Sequence, residues 1–120
     1  MPLTYLALGD SYTIGESVEP DARWPIQLFQ RILHLGFEAE TPEIIAQTGW
    51  TTDELQQAVE NRNLNQRFDL VSLLIGVNNQ YRGRCVKEFG EQVERLITTA
   101  VRLAESREEG VIVLLSLIHI

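Results

Sequence analysis

Residues 3–15 read LTYLALGDSYTIG, a short apolar run that ends in glycine and continues into aspartate and serine. The run 3–8 is typical of a buried strand, because it is short, rich in large apolar side chains and closed by Gly9. The serine that follows has two interpretations. Ser11 is either a nucleophile held at the end of a sheet or the N-cap of the next helix, a position where serine is favoured on energetic grounds alone.

Three later segments carry helix signals. Apolar residues recur every three or four positions in residues 23–35 and again in residues 84–107. Between these segments, Thr51 and Glu54 have the spacing of a capping box. This pair predicts that a helix begins at Thr51 and continues to about residue 60.

Three short apolar runs between the helices predict further strands, at residues 43–46, 70–75 and 111–117. The run LVSLLI at 70–75 is almost continuously apolar, as expected for a parallel strand that is covered on both faces. Strands and helices therefore alternate along the chain. This order predicts a single domain over residues 1–120 with an α/β fold, in which helices cover a doubly wound, mostly parallel sheet.

Composition narrows the classes of function. The 120 residues include 44% hydrophobic residues and carry a net charge of −7, which argues against binding to nucleic acid or to an anionic membrane surface. No run reaches the ~20 apolar residues of a membrane-spanning helix, and no signal peptide is recognisable. The single cysteine, Cys85, fits a reduced chain, so we predict a cytoplasmic protein. One cysteine and two distant histidines predict no metal site.

Polar and small residues follow three successive predicted strands. Asp10 and Ser11 follow the first, Gly49 follows the second, and Asn78 follows the third. Ligands of such sheets bind outside the carboxyl ends of the strands. Acyl transfer through serine requires a hydroxyl and donors directed at the oxyanion. Ser11 offers the hydroxyl and a backbone N–H, Gly49 a second backbone N–H, and Asn78 a side-chain amide.

With these three segments, around Ser11, Gly49 and Asn78, the chain resembles the GDSL, or SGNH, hydrolase family. The residues that match the family's blocks are Gly9, Asp10, Ser11 and Gly15, then Gly49, then Gly76 and Asn78. The resemblance implies a flavodoxin-like α/β/α fold and hydrolysis of esters, thioesters or acetylated sugars, all small-molecule substrates, without a cofactor. It also implies that Ser11 is the nucleophile, that Ser11, Gly49 and Asn78 form the oxyanion hole, and that Asp10 orders the loop.

The sequence departs from the family pattern at two places. Asn79 stands where the third block usually has aspartate, which changes a hydrogen bond beside Asn78. The family's last block, Asp-x-x-His, supplies the catalytic base and is missing, so we expect weak or no activity from these residues alone and an incomplete domain at the C-terminus. His119 is a candidate substitute, although Ser116 stands where the aspartate is needed. His34 is better explained as a favourable partner of a helix C-terminus.

Several residues keep more than one interpretation. Trp50 is either core or a wall of the acyl pocket, and Asn79 and Tyr81 are candidates to line the cleft. Cys85 is expected to be a buried or half-buried hydrophobe.

Two other functions compete with the hydrolase. One is phosphate or flavin binding at the loop after the first strand, and the other is a non-catalytic remnant. The apolar end of the chain, VIVLLSLIHI, predicts self-association through an uncovered strand.

Overall fold

A computed structural model of the chain describes residues 2–115. Its strands are β1 (Tyr5–Gly9), β2 (Glu43–Ala46), β3 (Leu70–Ile75) and β4 (Val111–Leu115). Its helices are α1 (Ser11–Ile14), α2 (Trp24–His34), α3 (Thr52–Asn61), α4 (Val77–Tyr81) and α5 (Val86–Leu103), with 3-10 turns at Pro20–Ala22 and Glu108–Gly110. The predicted alternation of strands and helices is confirmed.

The four strands form one parallel sheet in the order β2-β1-β3-β4. The central strand β1 is buried along its whole length, as its apolar composition requires. At its end, Gly9 pairs in register with Ala46 of β2 and with Leu74 of β3. The carboxyl ends of these three strands therefore lie side by side. The predicted α/β fold with a parallel sheet is confirmed.

One face of the sheet packs against α3 and α5. Apolar side chains of every second strand position enter this core together with those of the two helices. The buried core consists of Leu6, Leu8, Ile45, Leu55, Val59, Phe68, Val71, Leu73, Ile75, Leu96, Ala100, Leu103 and Ala104. Elsewhere in the sheet the hydroxyl groups of Tyr5 and Ser72 lie 2.7 Å apart and form a buried hydrogen bond. Burial raises the pKa of Tyr5 to about 12.

The structure corrects several predicted boundaries. The first strand covers Tyr5–Gly9 instead of residues 3–8, because Leu3 makes only an isolated bridge, with Ala39. The first long helix is Trp24–His34. The last helix ends at Leu103, four residues early, since Glu105 and Ser106 adopt positive φ angles of 59° and 60° that end a right-handed helix.

The strand β4 lies at the edge of the described sheet and pairs with β3. Its side chains Ile112, Val113 and Leu114 are 43%, 38% and 45% exposed. Of the predicted strand 111–117, the last two positions lie outside the described residues, as does His119. Within residues 2–115, no helix is long and apolar enough to cross a membrane.

Candidate active site

The predicted site residues follow three neighbouring strands. Ser11 comes two residues after β1, Gly49 three residues after β2, and Asn78 three residues after β3. Because β1 lies between β2 and β3, and neighbouring strands are about 4.8 Å apart, the loop that carries Ser11 lies between the other two. The structure therefore places Ser11, Gly49 and Asn78 at one edge of the sheet.

Asp10, not Ser11, is the N-cap of α1. The Asp10 Oδ1 atom accepts the backbone N–H of Tyr12 at 3.0 Å, and Ser11 is the first residue inside the helix. The interpretation of Ser11 as an N-cap is therefore wrong. Aspartate is as good a cap as serine, so the sequence alone did not separate the two. The consequence is that the Ser11 side chain, which is partly exposed, has no capping role.

The Asp10 carboxyl group is fully buried. Its second oxygen, Oδ2, has no hydrogen-bond partner among the described residues. Burial raises the pKa of Asp10, while the hydrogen bond from Tyr12 opposes the shift. A carboxylate in this position is removed from water and is compensated by a hydrogen bond at one of its two oxygens only.

Gly9 permits the tight turn from β1 into α1. A Cβ atom at this position would lie 2.6 Å from Thr13 Cβ and 2.8 Å from the carbonyl oxygen of Leu74. The first distance shows that α1 folds back directly over the end of its own strand. The second shows that the neighbouring strand leaves no space for a side chain. Glycine at this position therefore sets how closely Ser11 approaches the sheet.

The loop after β2 is held on both sides. Gly49 has a φ angle of 88°, which glycine adopts without strain. Its carbonyl oxygen accepts a hydrogen bond from Arg82 Nη2 at 2.6 Å. On the other side, the hydroxyl of Thr48 donates to Glu16 Oε2 at 3.0 Å, which joins this loop to the segment after α1.

The amide of Asn78 binds the same loop. Its Nδ2 atom donates to the carbonyl oxygen of Trp50 at 3.0 Å. An amide NH2 group carries two N–H donors, so this bond orients the side chain and leaves a second donor for another acceptor. Asn78 is half-buried and sits in α4, a five-residue helix that sequence periodicity did not reveal.

Asn79 stands where the third block of the family usually has aspartate. Its side-chain amide forms a hydrogen-bond network that uses both the oxygen and the nitrogen. Its Oδ1 atom accepts the backbone N–H of Thr52 at 3.0 Å, and its Nδ2 atom donates to the Thr52 hydroxyl at 2.9 Å. The Thr52 hydroxyl in turn forms a hydrogen bond with Gln92 of α5. Asn79 is buried, and these hydrogen bonds join the start of α3 to α4. Its place in the lining of the cleft stays a prediction.

Three aromatic residues lie in the segments that follow β1, β2 and β3. Trp50 is partly buried and packs against the main core. Tyr81, at the end of α4, is 69% exposed, and Tyr12, directly after Ser11, is 54% exposed. Cys85 is exposed, which corrects the expectation that it is buried.

His34 lies far from Ser11 in the architecture. It is the last residue of α2, after which the chain returns to the beginning of β2 at the amino ends of the strands. Ser11 is at the opposite edge. Within the described part of the chain, no group of three or more histidine, cysteine, aspartate and glutamate side chains is arranged to hold a metal ion.

Solved structures share this fold. The SGNH-hydrolase family esterase AlinE4 has a TM-score of 0.76 and 20% identity over 96% of this chain and 58% of that chain. The structure of TesA gives a TM-score of 0.77 and 19% identity over 93% of this chain and 58% of that chain. The psychrotrophic esterase EstA from Pseudoalteromonas sp. was solved with monoethylphosphonate as inhibitor. It has a TM-score of 0.73 and 16% identity over 93% of this chain and 57% of that chain.

At these identities the comparison of structures concerns the fold alone, and the chain spans less than two thirds of the length of each solved protein. A search of curated proteins gave no match. A family model described as the GDSL-like Lipase/Acylhydrolase family matches residues 7–118, nearly the entire sequence. The matched region includes all three strand-end loops of the candidate site. The chain therefore belongs to the GDSL-like lipase/acylhydrolase family.

Proposed function

We propose that this chain carries the nucleophile and the oxyanion hole of a serine ester hydrolase. The observation that carries the proposal is the strand order, with the Ser11 loop between the loops of Gly49 and Asn78. The hydrogen bond from Asn78 to the Trp50 carbonyl supports it, since it links the two outer loops. Family membership supports hydrolase chemistry in general, and the roles of the individual residues are our assignment.

In the proposed reaction, Ser11 Oγ attacks the carbonyl carbon of an ester while a base takes the hydroxyl proton. The carbonyl oxygen becomes an oxyanion and accepts hydrogen bonds from the N–H groups of Ser11 and Gly49 and from Asn78 Nδ2. The N–H of Ser11 suits this role because the first N–H groups of a helix have no intrahelical acceptor. Collapse of the intermediate expels the alcohol and leaves an acyl-enzyme, which water hydrolyses.

The catalytic base must come from outside the described residues, because His34 lies at the wrong edge of the sheet. The sequence contains no Asp-x-x-His block. His119 is the remaining histidine of the sequence. We therefore propose that the 120 residues alone hydrolyse esters slowly. Loss of a base leaves only the contribution of binding and of the oxyanion hole.

We assign the substrate to the class of small carboxylic esters, thioesters or acetylated sugars. The exposed ring of Tyr12, the residue after Ser11, provides apolar surface next to the proposed nucleophile, and Tyr81 is exposed at the end of α4. The net charge of −7 disfavours nucleic acid as a partner. Phosphate or flavin binding is less favoured, because the buried Asp10 carboxyl lies directly beside the loop that would hold the anion.

The test replaces the missing base with imidazole in solution. Hydrolysis of p-nitrophenyl acetate by the parent chain should rise with imidazole above the rate of imidazole alone, and Ser11→Ala should abolish the difference. Ser106→Ala is a matched control, because Ser106 is exposed and follows α5 at the opposite edge of the sheet. A fluorophosphonate should label Ser11, as located by mass spectrometry of peptides.

Equal imidazole-dependent rates for the parent chain and Ser11→Ala would reject Ser11 as the nucleophile. So would a phosphonate adduct on another residue. Flavin absorbance in the purified protein would favour the binding module instead.

A further inference from the structure

Arg82 is the charged side chain that reaches the proposed oxyanion hole. It follows α4, and its guanidinium lies over the loop after β2, 33 residues away in sequence. The Nη2 atom donates to the Gly49 carbonyl oxygen at 2.6 Å, which is short for a hydrogen bond from a nitrogen donor. The same atom lies 3.1 Å from Glu54 Oε1.

Glu54 is itself fixed, which makes it a suitable anchor for Arg82. Its Oε1 atom accepts the backbone N–H of Thr51 at 3.0 Å, which confirms one half of the predicted capping box. This hydrogen bond, together with the positive charge of Arg82, lowers the pKa of Glu54. The guanidinium thus lies between a carboxylate that is tied to the start of α3 and a backbone carbonyl of the loop.

Arg82 and Asn78 act on consecutive carbonyl groups. Asn78 Nδ2 binds the carbonyl of Trp50, and Arg82 binds the carbonyl of Gly49. The two side chains are four residues apart, one turn along α4, so they project from the same side of that helix. Together they hold two successive peptide planes of the loop.

Such a double contact matters at a glycine. Gly49 has no Cβ, and its φ angle is 88°. Rotation of its two peptide planes is therefore little restricted by the residue itself. A carbonyl fixed by a guanidinium limits that rotation. The Gly49 N–H belongs to the preceding peptide plane, which is joined to the fixed carbonyl through the Gly49 Cα atom. Fixing the carbonyl therefore narrows the orientations open to this N–H, the second backbone donor of the proposed oxyanion hole.

We propose that Arg82 is a positioning residue that orients the Gly49 N–H toward the oxyanion. This inference rests on the proposed function. Both contacts are made by the Nη2 atom, so lysine, whose ammonium carries three donors on one nitrogen, is a partial substitute that keeps the charge but loses the planar guanidinium. The part of Arg82 that stays exposed, 46% of the side chain, is consistent with a residue at the rim that does not touch the reacting atoms.

The experiment compares Arg82→Gln and Arg82→Lys with a matched control, Arg84→Gln. Arg84 lies two residues further along and forms ion pairs with Asp53 and Glu88, so its removal also deletes a surface cation that is paired with α3. Two quantities are measured for each variant. One is imidazole-supported hydrolysis, resolved into kcat and KM. The other is the position and solvent exchange of the Gly49 amide resonance in a 15N–1H spectrum.

We expect Arg82→Gln to lower kcat by roughly tenfold with little change in KM, less than the 10²–10³-fold typical of removing a donor outright. The Gly49 amide should shift and exchange faster. Arg82→Lys should lie between Arg82→Gln and the parent, and Arg84→Gln should match the parent in both measurements. If Arg82→Gln fails to fold, the graded response of Arg82→Lys decides.

The failures are distinguishable. If Ser11→Ala keeps the parental rate, the proposed function fails and this inference falls with it. If Ser11→Ala is inactive but the Arg82 variants keep the parental kcat, only the role of Arg82 is overturned. It is also overturned if kcat falls while the Gly49 amide is unchanged, or if Arg84→Gln moves that amide equally.

Discussion

Asn79 and Thr52 form a reciprocal pair across 27 residues of sequence, in which the side-chain amide of Asn79 both accepts from the Thr52 N–H and donates to the Thr52 hydroxyl. The N–H of Thr52 belongs to the first turn of α3 and has no acceptor inside that helix. The pair is buried. Asn79 therefore supplies a hydrogen bond that α3 needs, and it does so from the loop that carries Asn78.

We predict that Asn79→Ala destabilises the protein by about 1–3 kcal/mol, because it leaves the buried N–H of Thr52 without an acceptor. Asn79→Asp should cost less, since a carboxylate oxygen still accepts that N–H. Urea denaturation measures both. Gln57→Ala is the control, because Gln57 makes an exposed bond to Asn61. Equal stability of Asn79→Ala and Gln57→Ala would contradict the prediction.

Two glycines should respond to alanine in opposite directions. Gly9→Ala places a Cβ 2.8 Å from the carbonyl oxygen of Leu74, a backbone atom that cannot move without shifting β3. We expect a loss of about 1–3 kcal/mol in the free energy of unfolding. Gly90 lies inside α5 with open space around its Cα. Gly90→Ala should therefore add roughly 0.5–1 kcal/mol by helix propensity. Thermal denaturation of the two variants would contradict this account if their melting temperatures moved in the same direction.

The raised pKa of Asp10 predicts how stability varies with pH. Burial is the main cause, so the folded protein holds the Asp10 proton more tightly than the unfolded chain does. Stability from this group is complete below the ordinary value of 3.8 and is lost as pH rises through the folded pKa. Asp10→Asn removes the titration while keeping an oxygen for the Tyr12 N–H. The stability of the parent, relative to Asp10→Asn, should therefore fall as the pH rises above the ordinary pKa of 3.8.

The measurement is the free energy of unfolding in urea at several pH values. A constant difference in the free energy of unfolding between the two proteins does not test the prediction. The test is whether that difference changes with pH. Glu91→Gln, at an exposed position of α5, is the control for a lost carboxylate. A difference between the parent and Asp10→Asn that stays constant across the range would refute the role of burial at Asp10.

Local signals in the sequence predicted local structure well. The capping box of Thr51 and Glu54 needs only a spacing of three residues, and the helix begins where that spacing placed it. The strands β1 and β3 were recognisable because buried parallel strands are apolar almost throughout. The short helices α1 and α4 were missed, since four or five residues are too few for a helical period to emerge.

Contacts between loops that are distant in sequence were not predicted. The bond from Arg82 to the Gly49 carbonyl depends on which strands are neighbours, and the strand order does not follow from any single segment. No local signal in the sequence separates Arg82 from a surface cation. The interpretation of Ser11 as an N-cap failed differently, because aspartate and serine satisfy the same local rule and the cap is Asp10. The site residues were predicted from their positions after three strands and from resemblance to a family, and their chemical roles stay predictions.

The oxyanion hole predicts the size of one kinetic effect. With imidazole as base, Asn78→Ala should lower kcat by roughly 10²–10³, the usual loss for one oxyanion donor. Asn78 also binds the Trp50 carbonyl, so some of the loss could come from a displaced loop. The Gly49 amide resonance separates the two causes, because a displaced loop would shift it. A kcat within a factor of two of the parent would remove Asn78 from the site.

The exposed edge of the described sheet predicts that the chain self-associates. Along β4, three consecutive apolar side chains are each more than a third exposed, and the strand's outer backbone edge has no partner among residues 2–115. Such an edge is a template for pairing with another chain. The net charge of −7 opposes association, so oligomers should increase with salt as repulsion is screened. Sedimentation velocity measures this. Ile112→Lys should give a monomer, whereas Val86→Lys, at an apolar position 82% exposed on α5, should behave like the parent. A parent chain that stays monomeric at high salt would contradict the prediction.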